Sequence, residues 1–194
     1  MLVLASASQR RQELLRNAGI PFVAQPVDIP EIPQPGESPK ACAERLAREK
    51  ALVASRQKPD DFILGADTIV TVDRQILGKP RDADDAARML RLLSGGTHQV
   101  TTGVCLVRPR TGNQEPTTAF EDVRSETTLV TVNALSDDEI RAYVATSEPM
   151  DKAGAYAIQG IASRWISHIE GDYFNVVGLP VSLVYRMLRE HRVV

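Results

Sequence analysis

The chain has 194 residues, 43% of them hydrophobic and 25% charged, with a formal net charge of −2. This balance argues against a disordered chain, and the slight negative charge argues against broad binding to nucleic acid polymers, which calls for a basic surface. No stretch approaches the roughly 20 apolar residues of a membrane span, and the apolar run Met1 to Ala5 is too short for a secretory signal. A soluble, cytoplasmic protein without a membrane partner is therefore expected. A chain of this length should bury roughly 70% of its unfolded surface, so it needs no disulfide or zinc staple. Cys42 and Cys105 lack metal-ligand spacing and read as reduced thiols.

The run Leu2 to Ala5 predicts a buried first strand, followed by a small-residue turn and a helix with Leu14, Leu15 and Ala18 inward that stops near Gly19. Residues 26–37 carry four prolines and form a stiff extended loop. Ser38-Pro39 opens a helix to about Arg56, with Cys42, Leu46 and Val53 on one stripe. Phe62–Leu64 and Ile69–Val72 read as two β-runs broken by Gly65–Thr68, and Asp73-Arg74-Gln75 as a hairpin turn. A helix spans Asp82 to Leu93. Strands follow at about His98–Val107 and Thr117–Val132, joined by a turn at Arg110–Asn113. Ser136 and Glu139 form a capping box for a helix to about Thr146. A Gly-rich segment, Asp151–Gly160, leads to a strand near Trp165–Ile169, and a last helix begins close to Pro180. Helices and strands alternate early while strands cluster centrally, so the fold class is a mixed α/β sheet.

Several residues contradict the local pattern. Arg10 and Arg11 occupy the first helical turn, where the dipole already places positive charge. Either they point into water, or they and the serines Ser6 and Ser8 receive an anion such as phosphate. Lys50 falls on the apolar stripe of the second helix, either snorkelling to solvent or aiming its ammonium at an anion. Asp67 interrupts two hydrophobic β-runs, so it marks either a turn or a carboxylate delivered to a strand-end site. Glu31 offers a second carboxylate on the stiff loop, and two carboxylates with substrate phosphates suit magnesium. Lys79 lies on a restrained turn, Gly78-Lys79-Pro80. The three histidines show no metal-ligand spacing, and no P-loop or GxSxG pattern is present.

Leu4-Ala5-Ser6-Ala7-Ser8-Gln9-Arg10-Arg11-Gln12-Glu13-Leu14-Leu15 resembles the opening of the Maf family, with Gln9 in place of the usual proline. The likeness continues through Arg48–Ala51, Gly65–Thr68, Gly78–Pro80, Leu93–Val100, Thr102–Val104, Glu148–Gly160 and Val177–Pro180. It therefore spans nearly the whole chain in order. The resemblance implies one Maf-type domain over residues 1–194, similar to the inosine triphosphatases: an elongated mixed β-sheet flanked by helices, two lobes and a central cleft. It further implies hydrolysis of nucleoside triphosphates to monophosphate and pyrophosphate with Mg²⁺ or Mn²⁺, and is compatible with a homodimer. By position Asp67 matches the proton acceptor, with Lys50 and Lys79 as its catalytic companions. Ser8 and Arg11 match substrate-side positions, and Glu31 and Asp67 the metal positions. Arg11, Thr68 and Gln159 resemble the dTTP/UTP-hydrolysing branch, since a glutamine amide both donates and accepts, as a uracil or thymine edge requires. The alternatives are a 7-methyl-GTP- or inosine-type pyrophosphatase, or a nucleotide-sensing regulator of cell division.

Overall fold

The computed structural model describes residues 1–109 and 118–194, so the turn expected at Arg110–Asn113 lies outside the described residues. The chain divides into two compact units. Unit 1 comprises Met1–Asp67, Thr102–Glu126 and Gly178–Val194; unit 2 comprises Thr68–Thr101 and Thr127–Val177. The fold is mixed α/β, as expected: the described residues form a seven-stranded sheet with helices, in the order β2-β1-β3-β5-β6-β7 with β4 paired to β3.

In unit 1, β1 (Leu2–Leu4) lies parallel to β2 (Val23–Ala24) and to β3 (Phe62–Val72), with Leu4 level with Leu64. Between β1 and β2 runs α1 (Gln9–Asn17), and between β2 and β3 runs α2 (Pro39–Ser55), capped by Ser38 with proline at its first position. The last helix, α6 (Val181–Glu190), buries Leu183, Val184, Met187 and Leu188. Helix α2 packs through small residues: Ala47, Ala51 and Ala54 join Val3, Ala5, Ile63, Cys105 and Val107 in one fully buried cluster. Two glycines make this approach possible. A β-carbon on Gly65 would stand 2.1 Å from the Ala47 carbonyl oxygen, and one on Gly103 would stand 2.3 Å from that of Ala43. Both separations are far inside van der Waals contact. The inward stripe of α2 accordingly runs through its alanines, and Val53 is only half-buried.

The expected break at Gly65–Thr68 does not occur, because β3 runs unbroken from Phe62 to Val72. Gly65 is there for the helix that crosses it, not for a turn. The expected hairpin turn is made by Asp73 and Arg74 at φ 47° and 65°, while Gln75 already belongs to the returning strand β4 (Gln75–Leu77), which pairs antiparallel with β3. These are the left-handed values a two-residue hairpin loop demands.

Unit 2 contains α3 (Ala83–Leu93), α4 (Asp137–Val144) with the expected capping box at Ser136 and Glu139, and the short α5 (Tyr173–Val177). Strand β6 (Thr118–Val132) pairs antiparallel with β7 (Ile166–Glu170), and β5 (Thr97–Pro109) lies on its other side. Short 3-10 turns cover Glu148–Asp151, Ala153–Ala155 and Ile161–Trp165. Among the described residues no helix is long and apolar enough to cross a membrane.

Candidate active site

The close seat of α2 on β3 decides the chemistry of unit 1. Lys50 lies one helical turn beyond Ala47, and Asp67 lies two residues beyond Gly65, so the glycine contact brings both side chains together. The Lys50 ammonium donates to Asp67 Oδ1 at 2.5 Å and to Glu31 Oε1 at 2.5 Å. Lys50 and Asp67 are buried, at 7% and 6% exposure, while the Glu31 side chain remains 40% exposed. Lys50 does not snorkel. Its charge is held inside the protein by two carboxylates, the condition under which a buried cation is tolerated.

Burial pushes the Asp67 carboxyl above the usual aspartate range, against the pull of Lys50 and Arg11; Glu31 adds to the upward shift. A carboxylate so placed is a stronger proton acceptor than one in water.

Arg11 enters the same network from α1. Its Nε donates to the Gly178 carbonyl at 2.7 Å, and its Nη1 to the Ala66 carbonyl at 2.8 Å and to Ser6 Oγ at 3.3 Å. The guanidinium thus fastens the residue before Asp67 to the turn before α6. Burial lowers the Arg11 pKa, while Asp67 and Glu31 pull it back up. Ser8 caps α1: its hydroxyl oxygen accepts the Arg11 N–H at 3.4 Å, which leaves the serine O–H a donor role.

The loop that carries Glu31 is anchored by a residue the sequence reading did not single out. Arg45 on α2 donates to both Glu37 oxygens, at 2.7 and 2.8 Å, and to the Ile32 carbonyl at 3.0 Å. The Arg45 hydrogen bonds hold the Glu37 carboxyl down at about 2. Its signal in the sequence was an arginine eight residues after a glutamate, a spacing that no helical rule connects.

The structure therefore brings Ser8, Arg11, Glu31, Lys50 and Asp67 into one connected cluster. Thr68, Lys79 and Gln159 belong to unit 2. There Thr68 is half-buried, and Lys79 and Gln159 are exposed. Lys79 follows Gly78, whose carbonyl accepts the Gly154 N–H at 3.1 Å. Among the described residues no group of three or more metal-ligating side chains occurs. Asp67 and Glu31 nevertheless converge on one cationic nitrogen, and two carboxylates completed by phosphate oxygens and water are a donor set that suits Mg²⁺.

Known proteins resemble this chain over nearly its whole length. The chain is 57% identical to a dTTP/UTP pyrophosphatase of Koribacter versatilis over 97% of this chain and 93% of that protein. It is 49% identical to a dTTP/UTP pyrophosphatase of Syntrophomonas wolfei over 95% of this chain and 94% of that one. The fold is similar to that of the Staphylococcus aureus Ham1 protein, with a TM-score of 0.50 at 15% identity over 98% of each chain. The family described as Maf-like protein matches residues 1–191, and the chain belongs to the Maf family.

Proposed function

We propose that this chain is a nucleoside triphosphate pyrophosphatase that hydrolyses dTTP and UTP to the monophosphate and pyrophosphate. The observation that carries this reading is the buried Lys50 ammonium shared by Asp67 and Glu31, in a chain nearly half or more identical over its length to relatives named for that activity.

In the proposed reaction a water oxygen attacks the α-phosphorus, and the bond from that phosphorus to the α–β bridging oxygen breaks. Pyrophosphate leaves with that oxygen. Asp67 accepts the proton released by the water and passes it to solvent. Lys50 and Lys79 offset the charge that grows on the leaving group, and Ser8 contributes a hydroxyl donor. Arg11 serves this site by holding the Ala66 carbonyl, and with it the backbone that presents Asp67. Asp67 and Glu31 are the residues that would hold a divalent ion, Mg²⁺ or Mn²⁺, whose charge neutralises the polyphosphate when bound. Gln159, with Thr68, selects the pyrimidine by pairing its amide with the donor and acceptor of the base edge.

A cytoplasmic location is part of the proposal. It is supported by Cys42 and Cys105, both buried free thiols whose pKa values burial raises to about 11 and about 12. Pyrophosphate release from dTTP, UTP, 7-methyl-GTP and ITP with Mg²⁺ tests the reading. Preference for the two pyrimidines is expected, and a clear preference for a purine would overturn it.

A further inference from the structure

We propose that Glu148 and Tyr143 are positioning residues that set nucleobase selectivity by holding the turn that carries Gln159. The inference rests on the reading of Gln159 as the residue that meets the base.

Gln159 is exposed and sits in a turn closed by the Gly160 N–H donating to the Ala157 carbonyl at 3.0 Å. An exposed glutamine gains no fixity from packing, yet hydrogen-bond discrimination requires the amide to be held to within about 0.5 Å. The structure supplies the missing restraint through the backbone on both sides of the residue. The Ala157 N–H donates to the Tyr143 hydroxyl at 3.3 Å, and that hydroxyl donates to Glu148 Oε1 at 2.9 Å. From the other side the Ile161 N–H donates to Glu148 Oε1 and Oε2 at 3.1 and 3.3 Å. One relay, from the Ala157 N–H through Tyr143 and Glu148 to the Ile161 N–H, therefore spans Gln159.

The carboxylate lies hard against the turn. A β-carbon on Gly160 would come within 2.2 Å of Glu148 Oε1, so a larger residue there would push the carboxylate aside. The tyrosine within the relay is held firmly, since Tyr143 is fully buried and meets the Trp165 ring edge-on at 5.3 Å. Upstream, Tyr156 is fixed by a 2.8 Å hydrogen bond to His98 Nε2. Between this anchor and Gly154, the buried Ala155 is held at φ 59°, a left-handed conformation that persists only where surroundings impose it. None of these groups is needed for the proton transfer proposed at Asp67. What they share is control over where the Gln159 backbone sits.

The test compares kcat/KM for dTTP with that for ITP in the full-length protein, its Y143F, E148A, E148Q and Q159A variants, and Q159A combined with Y143F or E148A. Thermal midpoints are measured alongside. Y143F and E148A should lower the dTTP-to-ITP ratio on the order of tenfold, a scale set by one good base-edge contact, mainly through a higher KM for dTTP. E148Q keeps an acceptor for Ile161 and should retain most of the ratio. In the Q159A background neither second change should move the ratio further. If Q159A shifts the ratio while Y143F and E148A leave it unchanged, the positioning role is overturned alone. If Q159A itself leaves the ratio unchanged, the reading of Gln159 fails and the positioning role falls with it. An equal loss for both nucleotides with a lowered thermal midpoint marks a merely structural role and also overturns the inference. Should E148A not fold, Y143F and E148Q decide between these outcomes.

Discussion

Lys50 Nζ lies 2.5 Å from Asp67 Oδ1, with both side chains more than nine-tenths buried, although 17 residues separate them in the chain. The pair exists because backbone meets backbone nearby. Gly65 lets the Ala47 carbonyl approach β3, and the lysine one turn later and the aspartate two residues later are then within reach.

Gly65→Ala should therefore damage both stability and activity. Its new β-carbon would stand 2.1 Å from the Ala47 oxygen and 2.9 Å from the Ala51 nitrogen, both backbone atoms that cannot swing aside. Helix α2 must move, which should lower unfolding free energy by about 3 kcal/mol, the upper range of overpacking. Urea midpoints measure this. Gly78→Ala is the control: nothing lies within 4 Å of its added carbon, so its midpoint should scarcely change.

His98 predicts a specific dependence of stability on pH. Burial lowers its pKa from 6.5 to about 4, so the folded state holds the ring neutral where the unfolded chain would protonate it. Between those values the unfolded state binds more protons, and stability therefore rises with pH across the window. The contribution is fully present above pH 6.5 and is lost as pH falls toward 4, a difference of about 3 kcal/mol at 1.36 kcal/mol per unit. Urea unfolding of wild type and His98→Gln across this range checks it. Parallel curves for the two proteins would show that the ring is not held neutral.

Arg45 should act on catalysis without touching substrate. Its paired bonds to Glu37 and its bond to the Ile32 carbonyl hold the loop next to Glu31. Arg45→Ala should reduce kcat/KM by about tenfold, as expected when a reacting constellation loosens. Arg45→Lys should not restore it, because an ammonium cannot reproduce the two-pronged contact. Steady-state kinetics with dTTP decide the point, and full activity in the lysine variant would refute the planar-contact argument.

The parts of this site that were legible in the sequence are those that broke a local rule. A lysine on the apolar face of α2 and an aspartate within a hydrophobic strand each asked for a partner, and the structure makes them partners of one another. Capping signals at Ser38 and Ser136 placed two helix starts, because a cap is a local contact. What could not be read depends on non-local packing. Gly65 looked like a break, since nothing in its neighbours announces that Ala47 will cross above it. The strands β2 and β4 and the helix α5 are too short for any period to emerge. Glu148 gave no sign either, for its partners are a hydroxyl five residues away and a backbone N–H thirteen residues away.

Asp67→Asn offers the most direct test of the catalytic assignment. The substitution keeps size and removes the charge that accepts the proton. With Mg²⁺ and saturating dTTP or UTP, the wild-type protein should release pyrophosphate, and the variant should do so at least ~10²-fold more slowly, the scale of general-base loss, while still unfolding cooperatively. Turnover near the wild-type rate in that folded variant would contradict the role given to Asp67.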